Sequence, residues 1–104
     1  MPRFTTRIEL HKKENKSITK QDYDMLHEEM LKEKFSRIIE GDNGKRFHML
    51  EAEYNRVEDG ITLEDVMTSS RRACDKTVVR SSNIGDYSIL ITEGTRKWYN
   101  LPQA

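Results

Sequence analysis

Arg7, Glu9 and His11 occupy alternate positions of the run RIELH, with Ile8 and Leu10 between them. If that run is a β-strand, its period of two throws a cation, a carboxylate and an imidazole onto one face. Such a row could hold a phosphate together with a base or a metal ion. RNA cleavage needs either a base for the 2′-hydroxyl or a metal-activated water. The same three residues also read as an ordinary solvated strand face with a cross-strand ion pair. The other histidines, His27 and His48, fall on different segments, and no HxxxH or paired CxxC spacing occurs. No zinc site is therefore expected.

Cations with neighbours suited to nucleic acid gather in three further places. Asp42-Asn43-Gly44 is followed by Lys45-Arg46, a turn that could present backbone N–H groups and two charges to phosphate. Arg71, Arg72, Lys76 and Arg80 form a second cluster, and Arg96-Lys97-Trp98-Tyr99 sets cations beside aromatic rings on which a base could stack. Each has a plainer reading: a solubilised hairpin tip, a helix end, and a Trp98 that fills the end of the core or a dimer contact. Cys74 sits in an apolar stripe and has no neighbour that would activate its thiol. No Gly-rich phosphate loop, nucleophile elbow or metalloprotease motif is present.

The elements that would position these residues follow from periodicity. Phe4, Thr6, Ile8 and Leu10 make the covered face of a first strand, and the charged run HKKENKS is a loop. Then ITKQDY (18–23) and ITLEDV (61–66) repeat one pattern, Ile-Thr-x-x-Asp-apolar. In each, Thr can cap a helix and Asp can reach back to the cap, while Ile lies one position before the cap and Tyr23 or Val66 stands where a hydrophobic staple would close. The first helix should run to about Lys34. The second carries Leu63, Val66, Met67, Ser70, Ala73 and Cys74 on one stripe and basic residues in its last turn. FSRII reads as a strand and Asn43-Gly44 as a tight hairpin. KRFHMLEAEY reads as a second strand whose apolar phase slips, predicting a bulge or bend near Met49–Leu50. DYSILITE is a further strand, and RKWYNLP leaves room for a fifth at the sheet edge before Pro102.

The predicted order is the β-α-β-β-α-β pattern of a ferredoxin-like α+β sandwich, an antiparallel sheet with two helices on one face. Length agrees: 104 residues suit one domain, 1–104. A hydrophobic fraction of 35% predicts a thin core, which a subunit interface would supplement. With 18 basic and 18 acidic residues the net charge is zero, which disfavours disorder and denies the chain a global electrostatic footprint for nucleic acid. No apolar run approaches the ~20 residues of a membrane span, the start MPRFTTRIEL lacks a secretion signal, and one cysteine suits a reducing compartment. A cytoplasmic protein is expected.

RIELH, FSRIIEGDNGKRFHMLEAEY and SILITEG…WYNLP together resemble a family of small bacterial proteins similar to GhoS, an endoribonuclease antitoxin that cuts the messenger of a small membrane toxin. That family in turn resembles the small ferredoxin-like nucleases of CRISPR adaptation. The likeness spans about Phe4 to Thr92 and is best at Phe35, Ser36, Asp42 and Gly44. It implies a ferredoxin-like fold and an RNA-cutting antitoxin. GhoS has an Asp near the end of its first strand, where this chain offers Glu9 or His11, and a first-helix Arg whose nearest counterpart is His27. The resemblance thus nominates Glu9, His11 and His27 for catalysis, Arg7, Arg37, Lys45 and Arg46 for RNA binding, and leaves a divalent metal open as cofactor. The alternative, suggested by the thin core, the neutral charge and the missing Arg, is a non-catalytic dimerising or RNA-binding module whose homodimer uses the last strand.

Overall fold

A computed structural model describes residues 2–104. Alternation sets the first strand, β1 (Arg3–Lys12): Phe4, Thr6, Ile8 and Leu10 are buried while Arg3, Arg7, Glu9 and Lys12 are exposed. The first helix, α1 (Lys20–Lys32), starts where the Ile-Thr-x-x-Asp pattern predicts. Thr19 accepts from the Asp22 N–H, and the Asp22 carboxylate accepts from the Thr19 N–H, a complete capping box. Its buried side includes Leu26 and Met30, and the helix gives way to a left-handed Lys34 at φ 71°.

The segment after α1 supplies β2 (Ile38–Glu40) and β3 (Arg46–His48), a two-stranded antiparallel ladder. FSRII is only partly strand. Phe35 dives into the core, and Ser36 forms a single bridge to Asn55 before the ladder begins at Ile38. The tip is a three-residue loop rather than a two-residue turn. Gly41 N–H donates to Lys45 O, Gly44 N–H to Gly41 O, and Gly44 takes φ 80°, a conformation that costs a residue with a Cβ.

KRFHMLEAEY does not form one bulged strand. It breaks at residues 49–52, where Met49 buries itself and donates its N–H to Arg37 O, and Ala52 adopts φ 65°. Two strands result, β3 and β4 (Glu53–Val57). β3 and β4 both run antiparallel to the β2 segment, so the chain keeps its direction, and the slipped apolar phase is an excursion of residues 49–52 at the expected Met49–Leu50 bend. The second helix, α2 (Leu63–Arg80), repeats the capping box with Thr62 and Asp65 and buries Val66, Ser70, Ala73, Cys74 and Thr77. The last strand, β5 (Ile84–Glu93), pairs with β1 along nearly its whole length, with an irregularity between His11 and Lys12.

The main sheet has the order β4-β1-β5, all antiparallel, and the Ser36–Asn55 bridge sets the β2–β3 ladder beside β4. Among the described residues two helices and five strands thus make one mixed α+β unit. Residues of the covered row of β1 join Leu26, Met30, Val66, Ala73, Cys74 and Tyr54 in one core, so both helices lie on the same side of the sheet. Arg72 to Glu33 (2.7 Å) and Arg80 to Glu28 and Glu29 (2.9 and 2.7 Å) tie α2 to α1 across their outer seam. RKWYNLP does not form a strand. The chain's last residues instead run along β3: Pro102 O accepts from His48 N–H, Gln103 bridges Phe47, and Ala104 N–H donates to Arg46 O. Pro102 cannot donate to a ladder, which keeps this contact short.

Candidate functional site

With both helices on one side, the other side of the sheet carries the alternate residues of three strands. The register sets Arg7 between Leu90 and Glu53, Glu9 beside Ser88, and His11 beside Asp86. Arg7 and Glu9 are exposed and His11 is partly so. The His11 Nε2 lies 2.7 Å from Ser88 Oγ, a hydrogen bond, and its Nδ1 lies 3.8 Å from Glu9 Oε1. The latter is too long for a hydrogen bond. A strand period of two explains the geometry: Glu9 and His11 are two residues apart, so they share a face, and Ser88 reaches His11 across the neighbouring strand. An imidazole held by a hydroxyl at an accessible surface can exchange a proton with a bound group.

His27 does not join them. It projects from α1 on the helix side, where Nδ1 lies 2.6 Å from Tyr54 Oη and Nε2 2.9 Å from Glu51 Oε1. Three residues expected in one catalytic group are thus divided between the two sides of the sheet. The physical reason is that β1 offers its uncovered row to solvent, whereas α1 can only face the covered row. Arg37 comes instead to His27's side, with its Nη2 3.5 Å from Glu51 Oε2 and its buried Nε without a partner among the described residues.

This second cluster of His27, Tyr54, Glu51 and Arg37 is consistent in its protons. Burial, then the Arg37 charge, hold the His27 pKa below its ordinary value despite Glu51. Burial keeps Tyr54 a phenol well above its usual range. A neutral imidazole then accepts from the Tyr54 hydroxyl and donates to Glu51, which leaves both ring nitrogens occupied. Sequence reasoning missed Tyr54 and Glu51, and no local spacing could have found them, since they lie 27 and 24 residues from His27.

Lys45 and Arg46 are exposed on the β2–β3 hairpin, apart from His11 and from His27. Among the described residues no three His, Cys, Asp or Glu side chains are grouped as metal ligands, and Glu9 with His11 makes a pair. Cys74 is fully buried, with its thiol pushed up to about 12 by burial and by Asp75. No helix among the described residues is long and apolar enough to cross a membrane. No family model matches the chain, and neither a curated protein nor a solved structure matches it.

Proposed function

We propose that the chain is a GhoS-like endoribonuclease on a ferredoxin-like fold, acting on RNA of a toxin–antitoxin system through the helix-free sheet face. Support for the fold comes from the element order together with the arrangement β5-β1-β4, with β2 flanking β4 at the Ser36–Asn55 bridge. The observation that carries the activity is His11, partly exposed on that face and set between Ser88 Oγ at 2.7 Å and Glu9 at 3.8 Å.

In this reading His11 exchanges its Ser88 contact for a substrate 2′-hydroxyl and takes its proton. The 2′-oxygen bonds to the adjacent phosphorus, and the bond from phosphorus to the 5′-oxygen breaks. The products are a 2′,3′-cyclic phosphate and a 5′-hydroxyl, with the leaving oxygen protonated by the imidazolium or by water. Glu9 stands beside the imidazole, and Arg7, two residues before it on the same face, attracts phosphate. Lys45 and Arg46 add cations on the β2–β3 hairpin outside that row, whereas Arg37 lies with His27 and Glu51 on the helix side. The test is purified protein with labelled RNA, with and without chelator, against a Glu9→Gln, His11→Ala double variant. Loss of cleavage in the variant supports the site, unchanged cleavage rejects it, and no cleavage by the unaltered protein under either condition rejects the enzyme. The antitoxin role rests on the resemblance alone. It gains support if the adjacent reading frame encodes a very short hydrophobic protein and loses it otherwise.

A second reading has its own observation. The β5 edge that does not face β1 has no strand partner among the described residues, and Leu90 on it is 61% exposed. A homodimer formed there would supplement the thin core. Sedimentation across a concentration series tests it, and a monomer throughout removes it.

A further inference from the structure

At the end of β1 remote from His11, the helix-free face runs into a groove of about 660 Å³. From Arg3 to His11 the strand covers about 26 Å at ~3.3 Å per residue, so this is a separate place on the same surface. Arg3 forms one wall, the Glu40–Asp42 side of the β2–β3 hairpin another, and Arg96 and Trp98 a third. A second hollow of about 630 Å³ shares Arg3, Glu40, Asp42 and Arg96 and continues over Asn55. Such volumes fall in the ~300–1,000 Å³ span of small-molecule sites.

The charges around it are unusual in being unspent. Arg96 Nη1 donates to Asn55 Oδ1 (2.7 Å), Thr5 Oγ1 (3.3 Å) and Phe4 O (3.4 Å), all of them uncharged. Neither Arg96 nor Arg3 has a carboxylate within ion-pair distance among the described residues, and neither Glu40 nor Asp42 has a cation. Burial and the nearby Arg3 both disfavour the Arg96 charge. The groove is therefore lined by the cations Arg3, Arg96 and Lys97 and by the carboxylates of Glu40 and Asp42, with no ion pair between them among the described residues. A ligand with an anionic end and a hydrogen-bond-donor end would relieve both.

Between these walls lies an aromatic surface. Trp98 is partly exposed and tilted at 55° against Phe47, with ring centroids 5.7 Å apart. The hairpin backbone lies close to the indole: a Cβ at Gly41 would stand 3.6 Å from Trp98 Cζ2, an ordinary van der Waals contact. Glu40 and Asp42 flank that glycine and line the same groove as Trp98. A flat base against Trp98 would meet them with its edge. Guanine offers adjacent N1–H and N2–H donors to one carboxylate, whereas adenine N1 is an acceptor and would face its lone pairs.

We infer that this groove is a guanine-nucleotide subsite, with Arg3 and Arg96 on the phosphate, Trp98 against the base and Glu40 or Asp42 on the N1–H/N2–H edge. A guanosine within single-stranded RNA and a free guanosine monophosphate present the same groups. The inference rests on the reading above only for RNA as a natural source, because it concerns binding and not cleavage.

Trp98 is the sole tryptophan, so intrinsic fluorescence reads the groove directly. The experiment titrates the protein with the four ribonucleoside monophosphates and with short oligoribonucleotides that contain or lack one guanosine. Guanine-containing ligands should alter Trp98 emission and bind about tenfold or more tightly than their adenine counterparts. Arg3→Ala should weaken every ligand, and Glu40→Gln with Asp42→Asn should abolish the guanine preference while the fold, checked by circular dichroism, is kept. Tighter binding of the oligonucleotide supports RNA as the source, and tighter binding of the mononucleotide supports a free ligand. An equal response to all four bases, or a preference unchanged in the double variant, overturns the base assignment. No response to any ligand overturns the subsite. The Glu9→Gln, His11→Ala variant should bind as the unaltered protein does, which separates failure here from failure of the nuclease reading.

Discussion

The two helix starts share one pattern in two settings, and removing the same atom group from each measures what the setting contributes. Asp22 is 2% exposed, and besides its own capping box it accepts from Ser81 Oγ and from Asn83 Nδ2 at 3.2 Å. It thereby holds the start of α1 against the α2–β5 junction. Asp65 makes only the box with Thr62, at an exposed surface. In Asp22→Ala the cap accounts for about 1 kcal/mol, and the stranded Ser81 and Asn83 donors for about 2–3 kcal/mol more. A total near 3–4 kcal/mol is a large share of the ~5–15 kcal/mol that holds such a domain folded, and should lower Tm by roughly 15–25 °C. Asp65→Ala should cost distinctly less.

Acid sharpens the comparison. Burial alone would raise the Asp22 pKa, but hydrogen bonds from Ser81, the Thr19 N–H and Asn83 overcome it and hold the pKa below the ordinary 3.8. A carboxyl depressed in the folded state contributes stability above its unfolded pKa and loses it as pH falls through the folded value. The gap between the parent and Asp22→Ala should therefore be full at neutral pH and close below about pH 4. Urea melts followed by circular dichroism at several pH values read both effects. Equal losses for Asp22→Ala and Asp65→Ala at neutral pH would refute the claim that the Ser81 and Asn83 contacts hold the two elements together.

Two further outcomes follow from buried groups. The His27 pKa is lowered in the fold, so the unfolded chain binds the extra proton and stability should fall as pH drops below about 6.5; His27→Gln should flatten that slope, and a slope that survives the substitution would mean another group titrates. Cys74, with a thiol pushed up to about 12 inside the core, should ignore a disulfide reagent at neutral pH until urea unfolds the chain, and rapid native labelling would contradict its burial.

Local chemistry was legible in the sequence, and long-range meetings were not. Thr19–Asp22 and Thr62–Asp65 could be read because a capping box is complete within four residues. The uncovered row of Arg7, Glu9 and His11 could be read because a strand's period assigns faces without reference to anything else. Ser88, which holds His11, lies 77 residues away and is one of several serines with no distinguishing neighbour. The slipped phase in KRFHMLEAEY marks the bend at residues 49–52, but its extent depends on the Met49 N–H bond to Arg37 O, which no local spacing shows. Asn55, whose side chain receives Arg96 and also donates to Ile38 O, has no sequence pattern that marks either partner.

The last four residues have a consequence for how copies of this chain could meet. By lying along β3 and placing a proline there, they cover the outer rim of the β2–β3 ladder, while the outer rim of β5 has no strand partner among the described residues. An array with a single open rim cannot grow indefinitely. Once two bare rims are joined about a twofold axis, nothing is left for a third copy to extend, so rim-to-rim assembly is self-limiting.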